Sequence, residues 1–242
     1  MVTQPALRGQ TAVFIGGSSG IGLETARLAR AEGAAVVLTG RDAERLAKAA
    51  ADVGARTHVA FDASDRDRLG EFFRSLPVPV DHIMVTAGRP YYTPLAAMDI
   101  ADAQRYVAEH VGLTLDVARH AATAVRPGGT LLFLSGTGGR RPAVGISVTA
   151  LLTAGLPALI ADLALEIAPV RANVIAPGFV DTPLSASLLG DALEDRRERL
   201  RATLPIRRVV TAEDVAALAV HLMVNTAITG ATFDIDGGQQ LT

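Results

Sequence analysis

The sequence predicts an α/β fold built on one doubly wound parallel sheet of about seven strands, with helices on both faces. Short β-branched runs alternate with Ala- and Leu-rich segments of helical spacing, which is typical of parallel strands joined by right-handed crossovers. Hydrophobic residues make up 49% of the 242 residues and aromatic residues only 4%, a composition suited to strands buried between helices. Because no repeat or low-complexity linker interrupts the pattern, we predict a single domain over residues 1–242.

The first cycle is a strand at Thr11–Ile15, a glycine turn, a helix at Ile21–Glu32 and a strand at Ala35–Thr39. The later strands are predicted at Thr57–Phe61, Asp81–Thr86, Thr130–Ser135, Ala172–Ala176 and Ala231–Ile235. The later helices are predicted at Arg66–Ser75, Ala101–Val125, Ala150–Ile167 and Ala212–Val224. Pro157 should bend its helix or mark the true start of that helix, because proline removes an intrahelical hydrogen bond.

A longer excursion, Pro183–Arg208, separates the last helix and strand from the rest. Its part from Leu184 to Arg201 is rich in charged residues, which predicts a solvated, mobile helix. A segment that follows the carboxyl end of a strand can also close over a ligand, so residues 184–208 are a candidate lid.

Composition and charge exclude several classes of function. The formal net charge is −2 and the basic residues are scattered, so we expect neither nucleic acid nor an anionic membrane as a partner. The chain has no cysteine, which excludes disulfides and thiolate metal sites and fits a reducing compartment. We find no signal-peptide pattern in Met1–Gln10, and the apolar runs look too interrupted to span a membrane, so we expect a cytoplasmic protein. The histidines are too dispersed for a zinc site, and no metal is expected.

A glycine-rich turn follows the first strand: Gly16-Gly17-Ser18-Ser19-Gly20-Ile21-Gly22, which then opens a helix. Glycines allow positive φ and let the backbone approach a pyrophosphate, while the helix amino terminus offers free N–H groups and positive potential. In this strand–turn–helix context the turn predicts a dinucleotide site.

This turn resembles that of the short-chain dehydrogenase/reductase family, whose T-G-x-x-x-G-x-G pattern is met at Gly16, Gly20 and Gly22 with Ile15 in the threonine position. The resemblance runs over nearly the whole chain and implies a Rossmann fold. It also implies that Asp62 contacts the adenine, that Ala87-Gly88 closes the fourth strand at the cofactor, and that the Pro177-Gly178 loop holds the nicotinamide amide through the Val180 backbone and Thr182. The tail Asp236-Gly237-Gly238 matches as well.

The second strand ends at Thr39-Gly40-Arg41, where an NAD-selective enzyme carries an acid that bonds the ribose hydroxyls. Gly40 lacks that acid and Arg41 can form a fork onto a 2′-phosphate, so NADP(H) is the expected cofactor. The alternative is that Arg41 is an exposed residue before Asp42, which could cap the next helix. For Asp62, a loop or helix cap is likewise an alternative role.

The family's catalytic residues do not appear at their places. Alignment on Glu166 and Asn173 places Thr149 in the tyrosine position and Thr153 in the lysine position, while Gly136, next to Ser135, takes the serine position and Glu109 the asparagine position. No shift in the alignment restores the pair, because no tyrosine follows Tyr106. Thr149 and Thr153 would share one helix face, where they could bond the nicotinamide ribose or return bonds to the helix backbone.

A threonine hydroxyl cannot replace a tyrosine as an acid, and losing general acid–base assistance costs about 10²–10⁴ in rate. Candidate replacements are Tyr91, after the fourth strand, and His110, which can titrate near neutrality. Arg140 and Arg141 are a candidate pair for an anionic substrate, or else a solvated turn.

The resulting hypothesis is an NADP(H)-dependent oxidoreductase that acts on a small carbonyl or alcohol with an atypical active site. The alternative is a catalytically weak or inactive NADP(H)-binding regulatory or structural protein, and non-redox chemistry on the same scaffold stays open. The resemblance also implies a homodimer or homotetramer that assembles through the long helices near Val107 and Leu159 and the tail after Ile235.

Overall fold

The computed structural model describes residues 5–242, so four residues of the segment inspected for a signal peptide lie outside the described part. Seven parallel strands form the main sheet in the order β3-β2-β1-β4-β5-β6-β9, and β7 and β8 form a separate two-stranded ladder. The strands are β1 Thr11–Ile15, β2 Ala35–Gly40, β3 Thr57–Ala60, β4 Val80–Val85, β5 Val125–Leu134, β6 Arg171–Pro177, β7 Val180–Asp181, β8 Val210–Thr211 and β9 Thr232–Ile235.

Helices cover both faces of the sheet. They are α1 Gly20–Ala31, α2 Ala43–Val53, α3 Arg66–Ser75, α4 Ile100–Ala124, α5 Ser147–Glu166, α6 Pro183–Leu189, α7 Leu193–Thr203 and α8 Ala212–Val224. The predicted doubly wound α/β fold with about seven strands is confirmed.

Strand alternation explains the two cores. Val13 and Ile15 of β1 face α3, α4 and α5, whereas Ala12 and Phe14 face α1, α2 and α8, because successive side chains of a strand point to opposite faces. Small residues dominate the contact between helix and strand on the second face, with Ala26 fully buried there. The sheet is therefore packed on both faces, and its carboxyl edge stays open to form a site.

The strand order reverses between β1 and β4, which are neighbours in the sheet although two strands separate them in sequence. Connections leave these two strands toward opposite faces, and the loops after them diverge and open a crevice at the carboxyl edge. The glycine turn follows β1 and the Ala87-Gly88 segment follows β4, so the topology brings both into this crevice.

Two predicted boundaries need correction. β5 begins at Val125 rather than Thr130, because Val125 pairs with Val80 before a register shift leads to the regular pairing of His82 with Thr130. Helix α5 begins at Ser147, so Pro157 lies inside it and does not mark its start. The helix continues past the proline because Leu156, Ile160 and Leu163 anchor its inner face in the core.

The charged excursion is also more structured than predicted. Instead of one helix from Leu184 to Arg201, the structure has α6 and α7 joined by a 3₁₀ turn at Gly190–Ala192. Leu200 of α7 is buried with Leu204 and Val209 in a small separate cluster. The segment is therefore a packed element and not simply a solvated helix.

Helix α5 has the length and the apolar composition of a membrane-spanning helix, which corrects the expectation that every apolar run is too interrupted. Its inner face packs into the core, whereas Leu151 and Leu165 on the outer face are 62% and 80% exposed. The outer face of α5 is thus an apolar surface.

Candidate functional site

The glycine turn leaves no room for a side chain at two of its positions. Gly16 has a φ of 102°, and a Cβ there would lie 2.6 Å from the backbone nitrogen of Ala87. A Cβ on Gly22 would lie 2.6 Å from the carbonyl oxygen of Gly16 and 2.5 Å from the Thr86 hydroxyl. The turn is therefore held directly against the end of β4 and brings backbone N–H groups to the crevice.

The start of helix α1 has no internal cap. Ser19 is its N-cap residue, and the serine side chain makes no capping hydrogen bond. The first N–H groups of a helix have no intrahelical acceptor, and together with the helix dipole they attract an anion. This helix start is suited to a pyrophosphate.

An open cavity of about 530 Å³ extends from the glycine turn along the carboxyl edge of the sheet. The predicted site residues that line it are Gly16, Ser18, Ser19, Arg41, Asp62, Ala87, Gly88, Tyr91 and His110. Residues predicted from five separate stretches of sequence thus share one cavity. Arg45 and Tyr106, which were not predicted, line it as well.

Arg41 and Asp62 mark the end of the cavity beyond β2 and β3. Their charged groups are 3.8 Å apart, and the Arg41 side chain is 69% exposed. Burial opposes ionisation of Asp62, but hydrogen bonds from the Ser64 backbone and hydroxyl, and the charge of Arg41, hold its pKa below the ordinary value. Asp42 accepts a hydrogen bond from the Arg45 backbone and caps α2, so the capping role of Asp42 coexists with an exposed Arg41 guanidinium at the cavity.

The segment after β6 approaches the glycine turn at Gly20. The amide of Phe179 donates to the Gln239 side chain over 2.8 Å, which ties the loop to the C-terminal tail. Thr182 caps α6 in a capping box with Ser185, and its Cβ lies 3.5 Å from where a side chain on Gly20 would begin. The predicted residue Thr182 is therefore next to Gly20, which Ile21 and Gly22 follow in the turn. The predicted residues Pro177, Gly178 and Val180 precede Thr182 in the same segment.

The two threonines in the tyrosine and lysine positions are both engaged. Thr149 donates its hydroxyl to the carbonyl of Tyr91 and accepts the Tyr91 amide, each over 2.9 Å. Thr153 donates to the carbonyl of Thr149 over 2.9 Å. Thr153 thus returns its bond to the helix, whereas Thr149 fastens the loop after β4 to α5.

The serine position is similarly unlike a catalytic one. Gly136 has no side chain to offer, and the hydroxyl of Ser135 is buried without a hydrogen-bond partner among residues 5–242. Lys48 is the only lysine in the chain and lies on α2, away from Thr149. The side chains at these positions therefore place no strong acid and no ammonium beside Thr149.

Tyr106 supplies an acid that sequence reasoning missed. Its phenol donates to the carbonyl of Arg89 over 2.6 Å, and the nearby Thr149 hydroxyl acts to lower its pKa. Its ring packs at 5.4 Å from Tyr91 and 5.9 Å from His110. The sequence did contain a signal, since Tyr106 lies three residues before Glu109 on a helix and therefore near the asparagine position.

Burial sets the protonation states of this cluster. It raises the pKa of Tyr106, with a further rise from Tyr92, although the Thr149 hydroxyl and Arg89 act in the opposite direction. Burial lowers the pKa of His110. At neutral pH the phenol of Tyr106 therefore keeps its proton and the His110 ring is neutral.

Arg140 and Arg141 do not form the predicted pair for an anion. Arg140 donates two hydrogen bonds to the Asp234 carboxylate, and its charge is therefore already neutralised. Arg141 donates to the Gln239 carbonyl over 2.7 Å, and no carboxylate among residues 5–242 compensates its charge. The Tyr91 phenol makes only a long contact, 3.4 Å, with the Asp99 carbonyl.

The fold and the glycine turn together define a Rossmann-type protein with a dinucleotide-binding cradle. The family model described as enoyl-(acyl carrier protein) reductase matches residues 16–240, and the chain belongs to the short-chain dehydrogenase/reductase family.

Named relatives and structures agree with this membership. The chain is 31% identical to short-chain dehydrogenase/reductase ATR9 of Stachybotrys chlorohalonatus, over 97% of this chain and 98% of the relative. It is 32% identical to cis-4-hydroxycyclohexanecarboxylate dehydrogenase of Sinomonas cyclohexanicum, over 95% and 96% of the two chains. The solved structure of BdcA in complex with NADPH is similar with a TM-score of 0.86 at 27% identity, over 96% of this chain and 95% of that one.

Proposed function

We propose that the protein is an NADP(H)-dependent oxidoreductase that interconverts a small carbonyl compound and its alcohol, with Tyr106 as the proton donor. The observation that carries the proposal is that the glycine turn, the Arg41 guanidinium and the Tyr106 phenol line one cavity. Family membership supports a nicotinamide cofactor, and the relatives include a cis-4-hydroxycyclohexanecarboxylate dehydrogenase.

The preference for NADP(H) rests on the end of β2. A Cβ on Gly40 would lie 2.9 Å from the Ser18 hydroxyl, so the acid that selects NAD has no room there without a shift. Arg41 and Arg45 both reach the cavity and supply positive charge where a 2′-phosphate would lie. The similar structure that was solved with NADPH supports the same preference.

When bound, the nicotinamide supplies or accepts the hydride. The residues of this chain would then place the substrate and manage the proton. Tyr106 holds a proton on its phenol beside Thr149, and it would give that proton to the carbonyl oxygen during reduction. Thr149 holds the Tyr91 backbone and so fixes the loop that forms one wall of the substrate site.

The second candidate function is an NADP(H)-binding protein with little turnover. It is favoured by the environment of the two threonines. Thr149 and Thr153 donate their hydroxyls to backbone carbonyls, and the chain's one lysine lies on α2. Without an ammonium nearby, the phenol of Tyr106 stays a weak acid.

Two measurements on the same protein separate these functions. We expect NADPH to bind, and its absorbance to fall when carbonyl compounds of varied size are added. Binding with no turnover of any carbonyl or alcohol would favour the second function. Absence of NADPH binding would contradict both.

We further propose that the chain forms a homodimer through the outer faces of α4 and α5. A groove of about 280 Å³ between these helices has an almost wholly apolar lining that includes Val107, Leu151 and Leu159. Exposed apolar surface of this kind marks an interface. Light scattering should report a dimer for the parent protein and a monomer for Leu151→Glu, and a monomeric parent would contradict this proposal.

A further inference from the structure

Helix α7 carries arginines in two different situations. Arg197 pairs with Asp181 at 2.8 Å and with Glu194 at 3.1 Å, and Arg201 pairs with Glu194 at 2.9 Å. Arg196, on the same helix, has no carboxylate or hydrogen-bond acceptor among residues 5–242. The difference is unusual because Arg196 is also half-buried, and buried charges are normally paired.

The surroundings of Arg196 lie at the carboxyl edge of the sheet. Its guanidinium lies over the ring of Phe179, with the Cζ atom 5.7 Å from the ring centre. Phe179 belongs to the loop after β6. Tyr92 from the loop after β4 and Arg141 from the loop after β5 are close enough to influence the Arg196 charge. The loop after β6 therefore contacts this guanidinium, and the loops after β4 and β5 each bring a titratable side chain into its electrostatic range.

The local electrostatics disfavour a charge that has no partner. Burial lowers the pKa of Arg196, and the like charges of Arg199 and Arg141 lower it further, while only the Tyr92 phenol acts in the opposite direction. The cation–π contact with Phe179 offsets part of such a cost. Arg141 adds to the positive potential, because its one hydrogen-bond acceptor, the Gln239 carbonyl, is neutral.

We propose that Arg196, with Arg141, forms a subsite for an anionic group of the substrate, a carboxylate or a phosphate. This inference rests on the proposed function and narrows its substrate class to carbonyl compounds or alcohols that carry an oxyanion. An oxyanion would supply the missing partner, and a guanidinium fork matches its geometry. Tyr92 and Phe179 would pack against the carbon skeleton of the substrate.

The test compares charged and neutral probes on the protein saturated with NADP⁺, which occupies the nucleotide site but carries no hydride to reduce them. The probes are 4-formylbenzoate, 4-oxopentanoate and 4-formylphenyl phosphate, against the methyl esters of the two acids and 4-methoxybenzaldehyde. Saturation with NADP⁺ keeps the anions away from Arg41. We expect at least one anion to bind about tenfold or more tightly than its neutral counterpart, as for a hydrogen bond to a charged group. The probe that gains most identifies carboxylate or phosphate as the preferred anion.

Substitutions of Arg196 test whether this residue causes the tighter binding of the anionic probes. Arg196→Gln should abolish the advantage of the anion while leaving the neutral probe and NADPH binding unchanged, and Arg196→Lys should keep part of it. Arg201→Gln is the matched control, since it removes the same charge from the same helix but from a paired residue.

Two results would overturn the subsite. One is equal binding of every anion and its neutral counterpart to the parent protein, and the other is an anion preference that survives in Arg196→Gln. In either case normal NADPH binding shows that the cofactor assignment still stands. Loss of NADPH binding in the parent protein would instead contradict the proposed function.

Discussion

The nucleotide end and the reaction end of this molecule follow the family pattern to very different degrees. At the nucleotide end, Gly16 and Gly22 are packed so closely against neighbouring backbone that no side chain fits. At the reaction end, Thr149 and Thr153 stand where the family has a tyrosine and a lysine, and a phenol approaches from α4 instead. The comparison teaches that a binding turn formed by backbone tolerates no side chain at its glycines and so keeps the family pattern. A catalytic side chain, in contrast, can be replaced by one from another helix.

The largest expected effect tests whether the reaction end has been rebuilt. Tyr106→Phe removes the proton donor and keeps the ring against Tyr91 and His110, so kcat for carbonyl reduction should fall by about 10²–10⁴. NADPH affinity should stay unchanged. Tyr91→Phe is the matched control, because its phenol has only a long contact with the Asp99 carbonyl. Equal losses of kcat in the two variants would contradict the role of Tyr106 as the proton donor.

The next effect concerns the nucleotide end. Arg41→Asp replaces a guanidinium with a carboxylate beside the 2′-phosphate, so NADPH affinity should fall by about 10–100-fold, the range of a charge-assisted hydrogen bond. NADH affinity should hold or rise, which inverts the preference. Arg56→Asp makes the same charge change on an exposed residue before β3, at the opposite end of that strand, and should have no such effect. An unchanged ratio of the two affinities in Arg41→Asp would contradict the role of Arg41.

The smallest expected effect concerns the scaffold beneath both ends. His82 on β4 is 1% exposed and bonds Gln10 through Nε2 over 2.6 Å, and burial lowers its pKa to about 4. Below pH 6.5 the His82 ring is therefore protonated in the unfolded chain but stays neutral in the folded chain. As the pH falls from 6.5 toward 4, the free energy of unfolding decreases by about 1.4 kcal/mol per pH unit.

Urea unfolding at pH 7 and pH 5 measures this loss, which should be about 2 kcal/mol from this group. His82→Gln should remove that part of the pH dependence, whereas His58→Gln on the exposed side of β3 should keep it. The same pH dependence in the parent protein and in His82→Gln would show that the ring is not neutral in the folded state.

The sequence predicted the sheet, the glycine turn and the loop after β6 because each depends on local pattern. Alternating apolar residues specify strands, and glycines at fixed spacing specify a turn. The start of β5 was predicted wrongly because it depends on an irregular pairing with Val80. The division of the excursion into α6 and α7 depends on a short turn and a buried leucine, neither of which has a periodic signature.

The reaction end was harder to predict because its contacts join distant segments. The Tyr106 phenol meets the Arg89 carbonyl and the Thr149 hydroxyl only after α4, α5 and the loop after β4 pack together. Arg140 binds Asp234, which lies 94 positions away in the sequence. Arg140 is therefore not available for the anion-binding pair that the sequence predicted. The isolation of Arg196 has no sequence signature, since its neighbours on α7 are also arginines.

The most direct test of the central claim is a calorimetric titration of the folded protein with NADPH and with NADH. The glycine turn and Arg41 predict saturable heat with NADPH at a one-to-one ratio, and binding of NADH that is about tenfold weaker or more. No heat with either nucleotide would contradict a dinucleotide site at the turn, and equal affinities would contradict the reading of Arg41 as the residue that selects NADPH.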